Sequence, residues 1–334
     1  MGITTTAMVK INSCIEWPPN LYSFYKKGIK LINLRVTLMD ANDVLIISLM
    51  DFYKCYYSED NRLFNEGYLN WFLLSNPVGH GKCVTITLEN EIVANMILVP
   101  IFVTKNGNKR LGYFAADVLT HPNHRDKNLF VKMIRYATEH IKSKESFIIG
   151  HPNDVSTPGW KRTKMSFYPE YRSFLSKFDF NLFDRKCIEI KNKEMLFSFS
   201  EKIEKILIKN NQSIVWTDCE FLYWKFMLNP VKKYTIKAIL IDGCLRGVIV
   251  SYKFKKVIDR VVHYLVEEGY EDKVYKSSII PRIYSFPQTE KFQEIKKHFI
   301  SKNIGTEVRF FFTDYDNENP IIDPSAVTFA ACDN

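Results

Sequence analysis

Residues 121–130 read "HPNHRDKNLF". An apolar run, "YFAADVLT" at 113–120, precedes them, and a helical pattern follows. Leu129, Phe130, Met133, Ile134, Ala137 and Ile141 fall on one stripe, with Lys127, Lys132, Arg135, Glu139 and Lys142 off it. The segment therefore reads as strand, turn and helix, the helix opening near 126–128. Its first N–H groups have no intrahelical partner, and the helix dipole adds to them, so the turn suits an anion. Arg125 and Lys127 add charge to it. An ordinary helix start capped by Asp126 or Asn128 fits the same ten residues. The tripeptide "HPN" favours the anion site. It occurs at 121–123 and again at 151–153, each time after an apolar strand, with one helix between. A right-handed crossover sets both copies at the carboxyl ends of neighbouring parallel strands, where open α/β sheets bind ligands.

A repeat extends the reading outward. "YLNWFLLSNPV" (68–78) matches "FLYWKFMLNPV" (221–231) at Leu69/Leu222, Trp71/Trp224 and Asn76-Pro77-Val78/Asn229-Pro230-Val231. The register continues into two alternating runs, "VTITLENEIVANMILV" and "IKAILIDGCLRGVIVS", whose turn residues Glu89-Asn90 and Asp242-Gly243 coincide. Each run predicts a β-hairpin. Two similar units are expected, residues 1–185 and 186–334, joined through the charged stretch near 180–205. In the first, a strand "KLINLRVTLM" leads to a helix from Asp40, its candidate cap, to about Tyr57. A second helix ends at Pro77. The hairpin, the strand before the turn, a helix at 128–144 and the strand "SFIIG" follow. The fold class is α/β (α+β), antiparallel strands first and a parallel crossover after them.

Composition bounds the function. With 46% hydrophobic and 14% aromatic residues, a full core can form. The formal charge of +9 favours anionic partners such as nucleotides or CoA. The basic residues are dispersed, which argues against nucleic acid. Cysteines and histidines lack ligand spacing, so no metal is expected. No apolar run reaches membrane-spanning length. The start, "MGITTTAMVK", lacks the apolar core of a signal peptide. A soluble, cytoplasmic monomer or dimer is expected.

The order "YFAADVLTHP", "HRDKNLF", helix, "FIIGHPNDVS", "GWKRTKMSF" resembles the acyl-CoA core of the GCN5-related N-acetyltransferases (GNAT). The duplication resembles tandem members of that superfamily. The resemblance implies two tandem GNAT-like domains, each a mixed, mostly antiparallel sheet flanked by helices. The first would carry the acyl-CoA site, and the second would be acceptor-side or structural. In the family the turn reads roughly Arg/Gln-x-x-Gly-x-Gly/Ala, and its amides hold the CoA pyrophosphate. Arg125 matches its first position. Asn128 stands at the first glycine, Phe130 at the small residue, and Asp126 replaces a common glycine. The implied donor site is Val118, Leu119, Thr120, Arg125, Asp126, Lys127, Asn128, Leu129 and Phe130, with Asn153, Ser156 and Trp160 along the pantetheine. Phe167 extends that later motif. The second copy has no counterpart of the turn; residue 278 would stand for Arg125.

The chemistry implied is transfer of an acyl group from acetyl-CoA or another short acyl-CoA to an amine. Amides near Val118 and Leu119 would face the thioester oxygen. Asp117, His121 and His151 are candidates to take the amine proton, and Ser156 or Tyr168 to protonate the thiolate. Size, duplication and "HPN…S" are similar to sugar N-acyltransferases acting on dTDP-3-amino-3,6-dideoxyhexoses, which implies an anionic nucleotide-sugar acceptor and a place in surface polysaccharide biosynthesis. Tyr168, Tyr171, Phe174, Trp216, Phe221 and Tyr223 would stack the base, or simply form core. A peptide or amino-acid amine is the alternative acceptor. A non-catalytic CoA- or nucleic-acid-binding module is the alternative class.

Overall fold

The computed structural model describes residues 34–58, 61–105, 107–141, 146–163, 165–178, 185–209, 214–254, 257–276, 280–287, 296–303 and 308–314. In the first half, strand β1 (Leu34–Asp40) leads to helix α1 (Asp43–Tyr53) and helix α2 (Glu66–Leu73). Strands β2 (Lys82–Leu88), β3 (Glu91–Lys105) and β4 (Asn108–Thr120) follow, then a 3-10 turn (Pro122–Lys127), α3 (Leu129–Ile141), β5 (Phe147–Gly150), α4 (Thr157–Lys161) and β6 (Ser166–Ser176). The second half contains β7 (Arg185–Ile190), α5 (Lys193–Phe197), α6 (Ser200–Lys209), β8 (Ile214–Val215), α7 (Cys219–Leu222) and a π-helical turn continuing α7 (Tyr223–Met227). Then come β9 (Thr235–Ile241), β10 (Cys244–Phe254), β11 (Ile258–Val266), α8 (Glu271–Tyr275), β12 (Arg282–Pro287), β13 (Phe299–Asn303) and β14 (Val308–Asp314).

Local chemistry sets most of these boundaries. Helix α1 starts at Asn42, whose side chain accepts the Leu45 N–H (2.9 Å). Asp40 is not the cap; it ends β1 and pairs with Lys82. The caps of α2 and α7 repeat one another: Asn65 accepts the Tyr68 N–H (3.1 Å) and Asp218 the Phe221 N–H (3.0 Å). Asn76 and Asn229 each fold back onto the N–H two residues on, both at 3.0 Å. The hairpin turns agree as well, with φ of 51° and 71° at Glu89-Asn90 and 51° and 72° at Asp242-Gly243. Positive φ at both positions gives the turn whose twist matches that of the strands.

The strand order is β1-β2-β3-β4-β5-β14-β6-β12-β11-β10-β9-β7. Strands β8 and β13 pair outside this path, with β3 and β6. The order reads as a palindrome about the β14–β6 boundary. Each half contributes an antiparallel set and one parallel crossover, β4–β5 in the first and β11–β12 in the second. The final strands are exchanged: β14 pairs with β5, and β6 pairs with β12. The repeats also meet in a reciprocal contact: the Trp71 indole donates to the Trp224 carbonyl (2.8 Å) and the Trp224 indole to the Trp71 carbonyl (2.9 Å). The two rings stack at 5.4 Å.

Helices cover both faces of the first half's sheet. One face, under α1 and α2, is a buried core of Leu49, Phe52, Tyr53, Phe72, Ile97 and Leu119 that also takes in Phe221 and Trp224. The opposite face packs α3 through Leu129, Met133, Ile134 and Ala137. Gly112 is needed at the crossover, because a Cβ there would lie 2.2 Å from the Phe147 ring. Phe174, Trp216 and Phe221 are buried core residues. They offer no stacking surface to a ligand, because large aromatic area is most favourably spent inside. The side chains of Tyr168 and Tyr171 lie outside the described residues, and so does position 278.

Candidate active site

The site is built on a fork in the sheet. Strands β4 and β5 pair in parallel at Tyr113↔Ile148 and Phe114↔Ile149. Residues 115–120 of β4 have no paired partner on the β5 side. On its other side β4 slips by one residue against β3, between Asn95↔Leu119 and Ile97↔Ala116. The extra residue is absorbed at Asp117, whose φ is 44°. This is a β-bulge, a device that re-aims side chains and bends a strand. It turns the Asp117 carboxylate to the α1/α2 face, leaves Val118 against the α3 core and buries Leu119 on the other side. The two "HPN" tripeptides sit at the carboxyl ends of the two prongs, directly after Thr120 and Gly150.

Beyond the fork, the chain turns through the 3-10 segment into α3. His121 caps that segment, its Nδ1 accepting the Asn123 N–H (3.2 Å). With Nδ1 so used, the neutral ring carries its proton on Nε2. Asn128 adopts the left-handed conformation, φ 56° and ψ 29°. Asparagine tolerates this backbone better than most residues, so it can stand where glycine is usual. The first main-chain hydrogen bond of α3 runs from Lys132 N–H to the Asn128 carbonyl (3.2 Å). The amides of Leu129, Phe130 and Val131 precede it. Arg125, Asp126 and Asn128 are exposed around them. Arg125 lies over the Tyr56 ring (5.1 Å), and the Lys127 ammonium is 2.8 Å from His124 Nδ1. Partial burial, then Lys127 and His121, hold the His124 pKa below its ordinary value. Thr120 is buried, and its hydroxyl has no hydrogen-bond partner among the described residues.

Phe130 needs room that a smaller residue would not. Gly159 provides it: a Cβ at that position would lie 2.6 Å from the Phe130 ring. Trp160, 2% exposed, meets Phe130 edge-on at 5.5 Å. Asn153 closes the turn that leads into α4, its side chain accepting the Ser156 N–H (2.8 Å) and its carbonyl the Thr157 N–H (2.9 Å). The Ser156 hydroxyl donates to the Asn153 carbonyl (3.3 Å). His151 is half-buried with its ring 5.9 Å from Phe114.

Asp117 is the most constrained of the candidate catalytic groups. Its side chain is 10% exposed, and Oδ1 accepts from Arg62 Nη2 at 3.2 Å. Its Oδ2 is buried with no partner among the described residues. Burial pushes its pKa above the usual carboxylate range, while Arg62 and then Lys225 pull it down. Tyr53 lies fully buried beside it, accepting from Asn95 Nδ2 (2.8 Å) and raised well above its ordinary pKa by burial first and Asp117 second. Burial pushes Tyr57 up to about 12, with Asp117 the next cause. Sequence periodicity did not single out Arg62, Tyr53 or Asn95, because strict alternation hides a bulge. A groove of about 950 Å³ follows the α1 side of β1–β3, with Arg35, Thr37, Asp51 and His121 in its lining beside the apolar Met39, Phe52 and Ile92.

No group of His, Cys, Asp and Glu side chains among the described residues is arranged to hold a metal. No described helix is long and apolar enough to cross a membrane.

Residues 52–168, about a third of the chain, match the family model described as an acetyltransferase (GNAT) domain. Among curated proteins no sequence match is found. A GCN5-related N-acetyltransferase structure from Kribbella flavida is similar at 11% identity and a TM-score of 0.60, over 84% of this chain and 71% of that one. One from Anabaena variabilis gives 12% identity and a TM-score of 0.61, over 83% and 72%. A tandem GNAT protein from the clavulanic acid biosynthesis pathway gives 10% identity and a TM-score of 0.51, over 84% of this chain and 98% of that one. Residues 52–168 thus match a GNAT acetyltransferase domain model, within a chain that has the tandem GNAT fold.

Proposed function

We propose that this protein is a CoA-dependent N-acyltransferase with one donor site, in the first half. The fork between β4 and β5, bulged at Asp117 and opening onto the amides of α3, carries the reading. The residues fit the CoA pyrophosphate: a left-handed Asn128, the amides of Leu129 to Val131, and cations at Arg125 and Lys127. Asp126 is exposed, so solvent and salt screen its repulsion. In this reading Val118 and Leu119 would offer amides to the thioester oxygen, and Thr120, Asn153 and Trp160 would belong to the donor side.

The amine attacks the thioester carbon, the C–S bond breaks, and the thiolate takes up a proton. Among the bases we favour Asp117, which has one oxygen held by Arg62 and the other buried and unpartnered among the described residues. It accepts the amine proton directly or through water. His121 is less suited because its lone pair is engaged. His151 flanks the other prong. Ser156 or Tyr168 returns a proton to sulfur. Acetyl-CoA or 3-hydroxybutanoyl-CoA is the donor in this reading.

The acceptor proposed is the amino group of a nucleotide-linked amino sugar, a dTDP-amino-dideoxyhexose bound for surface polysaccharide. The +9 charge supports an anionic acceptor. Acyl-CoA would be supplied with amino sugars, peptides and amino acids in turn, and free thiol followed by absorbance. Release with the nucleotide amino sugar is expected. Release with peptides alone would move the assignment to a peptide amine. Calorimetry with CoA tests the donor site, and Arg125→Ala should weaken binding about tenfold. Unchanged affinity would contradict the placement of the pyrophosphate.

A further inference from the structure

The second half buries a cation that has no anion of its own. Arg282 opens β12 and is 5% exposed, with its backbone N–H given to the Ser176 hydroxyl (3.0 Å). Its partner in register on β11 is Asp259, but both oxygens of that carboxylate are taken, Oδ2 by the Lys237 ammonium (3.0 Å) and Oδ1 by that of Lys253 (2.8 Å). The Tyr284 hydroxyl beside Arg282 stays neutral, since burial pushes its pKa up more than Arg282 pulls it down. Arg282 Nη1 is buried with no hydrogen-bond partner among the described residues. A guanidinium cannot shed its charge, and a buried charge without a counter-ion is costly.

Nη2 of the same guanidinium is directed at the Cys187 sulfur, 4.0 Å away. Cys187 is a free, exposed thiol on β7, opposite Ile239 of β9. Strand β7 ends the strand order, four strands from β12. Four steps across a flat sheet would be about 19 Å, so the sheet curls to bring the two side chains together. Arg185, two residues before Cys187, shares its face of β7. Glu189, two residues after it on that face, is exposed and stands opposite Lys237.

We propose that Cys187 is a site of oxidation by peroxides, promoted by Arg282. The sulfur attacks one peroxide oxygen, and an S–O bond forms as the O–O bond breaks. The departing hydroxide takes the thiol proton and leaves as water. Sulfur is oxidised by two electrons to a sulfenic acid, and the peroxide is reduced. Sulfur carries negative charge while it attacks, and a guanidinium held at its side favours that charge. Among the described residues no guanidinium lies within hydrogen-bonding reach of Cys55 or Cys244, the other exposed thiols. The reaction needs no CoA and is independent of the acyltransferase reading.

The test treats the full-length protein with limiting hydrogen peroxide in the presence of dimedone, which traps sulfenic acids, and follows each cysteine-containing peptide by mass spectrometry. Cys187 should be labelled about tenfold faster than Cys55 or Cys244. Arg282→Met should remove that advantage without changing the rate at Cys244, and Arg282→Lys should keep most of it. The comparison among thiols of the parent protein needs no variant, so it decides the matter even should Arg282→Met not fold. Equal labelling of the three exposed thiols overturns the proposal. So does an unchanged rate at Cys187 in folded Arg282→Met, which would leave exposure alone as the cause.

Discussion

Asn128 carries the conformational demand of the proposed donor turn. Its φ of 56° lies in the region that a β-branched side chain resists most strongly. Asn128→Val should cost about 1–2 kcal/mol in chemical denaturation and weaken CoA binding, whereas Asn128→Gly should hold both near the parent values. Asp117 shows the same economy. A single residue at φ 44° bulges β4, and its carboxylate then meets Arg62 on the α1/α2 face. The left-handed tendency of Asn128 was legible from residue type. The bulge was not, since "FAADVLT" alternates no differently from a regular strand, and only the register against β3 exposes the extra residue. Phe130 is a further case. It departs from the small residue usual there, and Gly159, distant along the chain, makes the space.

Helices α2 and α7 are the elements through which the repeats touch. Each tryptophan gives its indole N–H to the other's carbonyl, and both rings are buried. Trp71→Phe keeps most of the apolar area but leaves the Trp224 carbonyl without that donor. A buried unpaired carbonyl costs about 1–3 kcal/mol, so the variant should unfold at lower denaturant with an unchanged slope. A loss below about 0.5 kcal/mol would mean that water or a shifted side chain replaces the bond. The aligned "W…NPV" stretches announced that these two helices are alike. Their mutual packing could not be read there, because a repeated motif is equally compatible with two separate units.

The whole sheet depends on the exchange of its last strands. Strand β6 lies between β14 and β12, and β14 between β5 and β6. The proposed division at 185/186 therefore describes the duplication in sequence and not two independently closed sheets. A fragment of residues 1–185 would expose β5 along one edge and leave β6 without β12 or β14. Such open edges promote association. The fragment should elute as aggregate in size-exclusion chromatography and lack a cooperative melt, and co-expression with 186–334 should rescue it. A monomeric fragment with a cooperative melt would show that the exchange adds little to stability.

The sequence alone determined the elements and their type. The hairpin turns at Glu89-Asn90 and Asp242-Gly243, the stripe of α3 and the paired "HPN" segments are local patterns, set by backbone sterics and by periodicity within one element. Tertiary structure decided which strands cross between the halves, where β4 bulges, and which residues far along the chain surround Asp117. These are contacts between segments up to more than a hundred residues apart. Their energies arise from burial and register between elements, and no single window of the sequence contains both partners.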